Sequence, residues 1–120
     1  MNKIGIRAHD VATTSASALA AKITDLGFDG AQLVVKKALT EPVNFDNPSA
    51  LKEAFRNLPI LMLGAYFNPV HPDPNVREEG IAAFKSHLHL AQALNVPYVG
   101  TETGSLMGSP WGYLPENHLP

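Results

Sequence analysis
Short apolar runs alternate with longer amphipathic ones along this chain, and that alternation predicts its elements. Lys3 to Ala8 reads as a strand ending at His9-Asp10. Thr13, Thr14, Ser15 and Ser17 then offer side-chain oxygens for a helix N-cap. Ala18 to Leu26 follows as a helix, with Leu19, Ile23 and Leu26 at i, i+4 and i+7 on one face. Gly27 is its natural stop. Gly30 to Lys36 is a second strand centred on Leu33-Val34-Val35, and residues 38–47 are a polar loop containing Pro42. Pro48 and Ser49 open a helix through Leu51, Ala54, Phe55 and Leu58, which Pro59 ends. Ile60 to Phe67 is a third strand. A proline-stiffened loop, Asn68-Pro69-Val70-His71-Pro72-Asp73-Pro74, leads into the longest helix, Val76 to Leu94, whose apolar stripe is Ile81, Phe84, Leu88 and Ala91. Pro97 to Thr101 is a fourth strand, and from about residue 104 the chain has no helical period and reads as a trailing loop.

The order is βαβαβαβ with no hairpin, which implies an α/β protein with a parallel sheet and right-handed crossovers. Two architectures fit: a doubly wound open sheet, or one half of a (β/α)₈ barrel. A doubly wound nucleotide binder carries a glycine-rich phosphate turn after its first strand. Here that turn is Ala8-His9-Asp10-Val11-Ala12, without glycine, which favours the barrel. A whole barrel takes roughly 250 residues. Residues 1–120 are therefore expected to form a single partial domain, strands one to four of a TIM barrel, with their helices on one face.

Composition narrows the partners. Hydrophobic residues at 45% and charged residues at 17% supply a core and argue against disorder. A net charge of −2 without a Lys/Arg run leaves no footprint for nucleic acid. Cysteine is absent, so there is no thiolate chemistry and no disulfide frame, as suits a reducing cytoplasm. Met1 to Arg7 has no signal-peptide core, and the alanine-rich stretch near residue 20 is too short and polar to span a bilayer.

In a barrel the functional residues lie at the carboxyl ends of the strands. Those ends offer Arg7, His9 and Asp10; then Lys36 and Lys37; then Tyr66, Asn68 and His71; then Thr101, Glu102 and Thr103. Glu102, ringed by glycine and small hydroxyl residues, can take a proton, bind a divalent cation or hold a sugar hydroxyl. Its bland reading is a structural carboxylate paired with Arg7. His71 and His9 can act as acid, ligand or substrate contact, or be loop histidines held by backbone hydrogen bonds. Trp111 and Tyr113 can lie over an apolar sugar face or pack on the rim. His87 and His89, two apart on a helix, point to different faces and read as packing or surface residues. Lys36 and Lys37 read as a solvated strand end. There is no HExxH, Walker loop or nucleophile elbow.

The segments Ile4-Gly5-Ile6-Arg7, Leu26-Gly27-Phe28-Asp29-Gly30-Ala31-Gln32-Leu33, Asn68-Pro69-Val70-His71-Pro72-Asp73 and Val99-Gly100-Thr101-Glu102-Thr103-Gly104-Ser105 together resemble the N-terminal half of xylose isomerase-like TIM barrels, most of all the sugar phosphate isomerases/epimerases. That resemblance implies a (β/α)₈ barrel and metal-assisted proton transfer next to the carbonyl of a sugar or sugar phosphate. It implies a divalent metal (Mn, Mg, Co or Zn) in the complete protein, held by residues of strands five to eight, so no metal ligand is carried over to this chain. It gives Glu102 and His71 catalytic roles and makes Arg7, His9, Asn68 and Trp111 substrate contacts.

The leading expectation is thus an isomerase or epimerase half, an incomplete fragment inactive alone and prone to self-association through open sheet edges. The alternatives are a non-catalytic half-barrel that binds or assembles, and an endonuclease IV-like DNA-repair phosphodiesterase. The weak basic character argues against the last, since phosphate contacts dominate DNA affinity.

Overall fold
The computed structural model describes residues 2–106 and 114–118. Its strands are β1 (Gly5–Arg7), β2 (Gly30–Leu33), β3 (Ile60–Gly64) and β4 (Val99–Gly100). They form one four-stranded sheet in the order β1-β2-β3-β4, and every pairing is parallel. The helices between them are α1 (Ala8–Val11), α2 (Ala16–Asp25), α3 (Val35–Ala38), α4 (Ser49–Ala54) and α5 (Pro74–Leu94). Among the described residues no helix is long and apolar enough to cross a membrane.

Local chemistry sets the helix ends. Ser15 is the N-cap of α2, its hydroxyl accepting from the Ala18 N–H. Asp73 caps α5 by accepting from the Asn75 N–H at 2.8 Å, and Pro74 holds the first helical position, where a missing N–H costs nothing. Asn95 ends α5 in the left-handed conformation, at φ 56°.

One face of the sheet carries the core. Ala31, Leu33 and Leu63 are fully buried in a single cluster with Leu19 and Ile23 of α2, Leu51 of α4 and Leu90 of α5. Because the helices contribute to this one cluster, they lie on the same side of the sheet. That is what right-handed parallel crossovers in consecutive order require.

The other face has no helical cover. Gly5, Arg7, Gly30, Gln32, Met62, Gly64 and Gly100 lie on it by register and alternation. A register shift between Ala31 and Gln32 turns Leu61 to this face as well, where it lies across Gly5 and Gly30. Ile60 and Leu63, on either side, still face the core.

Several boundaries and faces depart from the sequence expectation. The second strand stops at Leu33 rather than Lys36, because Val35 to Ala38 turn into α3 and bury Val35 and Ala38. Of the expected loop at residues 38–47, only Ala38 is helical. The third strand stops at Gly64, not Phe67, and the second predicted helix stops at Ala54, although Phe55 and Leu58 remain buried. Leu26 is 61% exposed, since α2 has ended before it. Leu88 is 47% exposed, and the buried face of α5 runs instead through His87, Leu90 and Ala91. His87 can occupy that face because its Nδ1 pairs with the Ala83 carbonyl at 2.8 Å and its ring packs edge-on against Phe45. Pro115–His118, inside the expected trailing loop, form a 3₁₀ turn.

Truncating Leu63 to Ala is expected to cost about 2–5 kcal/mol, through lost burial and the cavity left behind. Leu88→Ala should change stability by less than about 0.5 kcal/mol. Urea unfolding of the two variants measures both, and an equal loss would put Leu88 back in the core.

Candidate functional site
The carboxyl ends of the strands gather the polar residues, and short local structures hold each of them. Arg7 closes β1 and its Nε donates to Asp10 Oδ2 at 2.8 Å, three residues on across the single turn of α1. That contact answers the question raised by Glu102: Arg7 goes to Asp10. Among the described residues no hydrogen bond or ion pair engages the Glu102 carboxylate, which is half-buried just beyond β4.

His9 lies on α1 with its side chain 19% exposed. Its Nδ1 is buried with no hydrogen-bond partner among the described residues, and its Nε2 stands 3.9 Å from Asp10 Oδ1. A buried N–H without an acceptor costs more than a buried lone pair, so the neutral ring carries its proton on Nε2. The segment that follows α1 is braced against the end of α3. Thr14 N–H donates to Ala38 O at 3.0 Å, Thr40 N–H to Thr14 O at 3.1 Å, and the Thr13 hydroxyl to Lys37 O at 2.8 Å. Lys36 and Lys37 are exposed on α3, as a solvated pair would be.

His71 belongs to the loop after β3. Its Nδ1 accepts from the Asp73 N–H at 3.1 Å, which leaves Nε2 as the proton-bearing nitrogen. Its carbonyl accepts from the Arg77 guanidinium, so α5 and the loop hold one another. The proline-rich loop is therefore a braced platform for a half-buried imidazole.

Asn68 does something the sequence did not suggest. Its side chain closes a two-way clamp on Ser105: Nδ2 donates to the Ser105 carbonyl at 2.5 Å, and Oδ1 accepts from the Ser105 N–H at 3.0 Å. The loops after β3 and β4 are thereby tied together, and Glu102 sits three residues before the tie. Gly104 makes the approach possible. Its φ is +88°, and a Cβ there would come within 2.4 Å of Asn68 Oδ1. A second asparagine pins the tail to the same place: Asn117 Nδ2 donates to Ser105 Oγ at 2.8 Å, and its Oδ1 accepts from the Leu106 N–H at 2.9 Å. Trp111 lies outside the described residues.

Two further residues complete the mouth. Gln32 pairs in register with Arg7 on one side and Met62 on the other, and its Nε2 donates to Tyr66 Oη at 2.6 Å. The Tyr66 ring lies over Gly64, where a Cβ would come within 2.6 Å of the ring. The ladder continues past β3, with Ala65 N–H donating to Gly100 O at 2.9 Å. Gly64 pairs with Gly100, and Tyr66 and Glu102 each lie two residues beyond that last pair. Arg7, Gln32, Tyr66 and Glu102 thus follow one another across strands one to four. Gln32 was missed as a candidate. Its signal was a single amide in an otherwise apolar strand, Gly30-Ala31-Gln32-Leu33-Val34.

A cavity of about 100 Å³ opens beside Tyr66, lined by Val34, Lys36, Phe67, Phe84 and His87 among others. Larger hollows of about 480 Å³, between α2 and α4, and about 320 Å³, between α4 and the end of α5, hold none of the candidate residues. Among the described residues no three His, Cys, Asp or Glu side chains gather to hold a metal ion. Comparison with protein-family models, curated proteins and solved structures found no match.

Asn68→Ala should remove the side-chain hydrogen bonds to the N–H and C=O of the largely buried Ser105. The expected cost is about 1–3 kcal/mol, with faster amide hydrogen exchange at Ser105 and Leu106. Unchanged exchange there would show that the tie between the loops is made elsewhere.

Proposed function
We propose that this chain is a half-barrel of the xylose isomerase-like kind, whose uncovered face forms one wall of a pocket for sugar isomerisation or epimerisation. The observation that supports the reading is the row Arg7, Gln32, Tyr66 and Glu102. It lies at or just beyond the carboxyl ends of four consecutive parallel strands, with Arg7, Gln32 and the Tyr66 ring on the face away from the helices. Active sites of (β/α)₈ barrels occupy that position. A doubly wound sheet would reverse its strand order and cover both faces with helices. The Asn68–Ser105 clamp and the braced His71 loop add a rigid rim to the same mouth.

In this reading Glu102 is the general base. Its carboxylate has no partner among the described residues to compete for its lone pairs. It removes the proton from the carbon next to the substrate carbonyl, and the electron pair moves onto the carbonyl oxygen. Returning the proton to the former carbonyl carbon, as the adjacent hydroxyl gives up its proton and the former carbonyl oxygen takes one, gives the isomer; returning it to the other face of the carbon that lost it gives the epimer. His71, with its proton on Nε2, is placed to donate to a substrate oxygen. The resemblance puts any metal on strands five to eight, and every step here is assigned to residues of this chain.

The face also needs a cover. Tyr66 and Tyr98 are exposed, at 43% and 68%, and the outer edges of β1 and β4 pair with no strand among the described residues. Unpaired edges and apolar patches drive association. The chain alone is expected to self-associate in size-exclusion chromatography with light scattering, and to turn over no ketose. A monomer with enzyme-like turnover would overturn the half-barrel reading.

The decisive test fuses the chain to the four C-terminal βα units of a xylose isomerase-like barrel and assays ketose isomerisation and epimerisation with added Mn²⁺, Mg²⁺ or Co²⁺. Turnover that falls at least about a hundredfold in Glu102→Gln supports the reading. A folded fusion without turnover on any ketose sinks it.

A further inference from the structure
The Gln32–Tyr66 pair has a direction built into it. Gln32 Nε2 donates to Tyr66 Oη, so the phenol oxygen is an acceptor in that contact and keeps its own O–H for another partner. Among the described residues nothing accepts that O–H, and nothing donates to Gln32 Oε1. Tyr66 is 43% exposed, so its O–H is open to a ligand. The ring cannot simply swing toward β2, because the Val34 side chain shares the space above Gly64. A fixed donor and a fixed acceptor therefore stand side by side on the uncovered face, on the two strands next to β4, after which Glu102 follows.

We propose that this pair binds the α-hydroxycarbonyl end of a small polyhydroxylated ligand. Tyr66 Oη donates to the carbonyl oxygen, and the adjacent hydroxyl donates to Gln32 Oε1. An α-hydroxycarbonyl presents that sequence, an acceptor next to a donor, on neighbouring carbons. A carboxylate or phosphate presents only acceptors and leaves Gln32 Oε1 facing a lone pair. The inference takes the kind of molecule from the sugar reading above and adds where its reactive end sits: over β2 and β3, with the carbonyl polarised by a donor that is already in place. It also gives the contacting wall a role that neither His71 nor Arg7 fills. His71 is on the rim, and the Arg7 guanidinium is engaged by Asp10.

The test uses the full chain and hydroxyacetone, the smallest α-hydroxyketone. Nuclear magnetic resonance follows the Gln32 side-chain amide and the Tyr66 ring protons during titration. Saturable shifts in both are expected at millimolar ligand. Tyr66→Phe keeps the ring over Gly64 and removes only the hydroxyl, and should weaken binding about five- to tenfold. Gln32→Met should do the same from the other side, and serves alone if the first variant loses its fold by circular dichroism. Acetone, which lacks the hydroxyl, should bind more weakly than hydroxyacetone. Equal affinity for the two ligands, an unchanged titration in the folded variants, or no saturable shift at all would overturn the proposal. Turnover in the fused barrel with an unchanged titration in Tyr66→Phe would remove this binding mode and leave the isomerase reading. Binding lost in both variants without turnover in the fusion would do the reverse.

Discussion
Leu33 and Leu63 pair in register on neighbouring strands, both fully buried, in one cluster with Leu19, Ile23 and Leu90 of the helices. The rest of the structure depends on that packing. Parallel strands joined by right-handed crossovers send each helix to the same side, and the apolar area buried there is the main term holding sheet and helices together. Once that side is taken, alternation along each strand assigns every other residue to the opposite face. The uncovered face and its row of polar side chains are consequences of the core, not separate devices.

The uncovered face is shaped by what it lacks. Glycines at four positions let Leu61, Met62 and the Tyr66 ring lie flat across the sheet. The register shift at Ala31/Gln32 brings both Leu61 and Met62 to that side without pulling Ile60 or Leu63 from the core. The effect is to place Gln32 within reach of Tyr66, two strand ends that simple alternation would have left as separate groups.

Rigidity at the mouth comes from side-chain-to-backbone contacts. Asn68 and Asn117 both converge on Ser105–Leu106, Asp73 links the His71 ring to the start of α5, and Thr13 and Thr14 tie the segment after α1 to the end of α3. Such contacts replace secondary-structure hydrogen bonds in segments too irregular to make their own. They fix where His71 and Glu102 emerge while leaving the Glu102 carboxylate unengaged among the described residues.

The sequence by itself determined the parallel α/β class, the strand order, the stretch of hydroxyl residues from which Ser15 caps α2, and the placement of polar candidates at strand ends. These follow from signals that act over a few residues: apolar runs, capping side chains, and the absence of hairpin turns. It did not disclose α1 and α3, because a single helical turn is too short to show a period. It put Leu26 and Leu88 on buried faces by spacing alone, whereas the helix end and the rotation of α5 onto Phe45 left them in solvent and drew His87 inward. Only the tertiary structure decided that Arg7 meets Asp10 rather than Glu102, that Asn68 reaches Ser105 across 37 residues, and that Gln32 meets Tyr66 across 34. Those pairings depend on strand register and on the path of two loops. Both are set by how the whole chain packs, and no local run of residues encodes them.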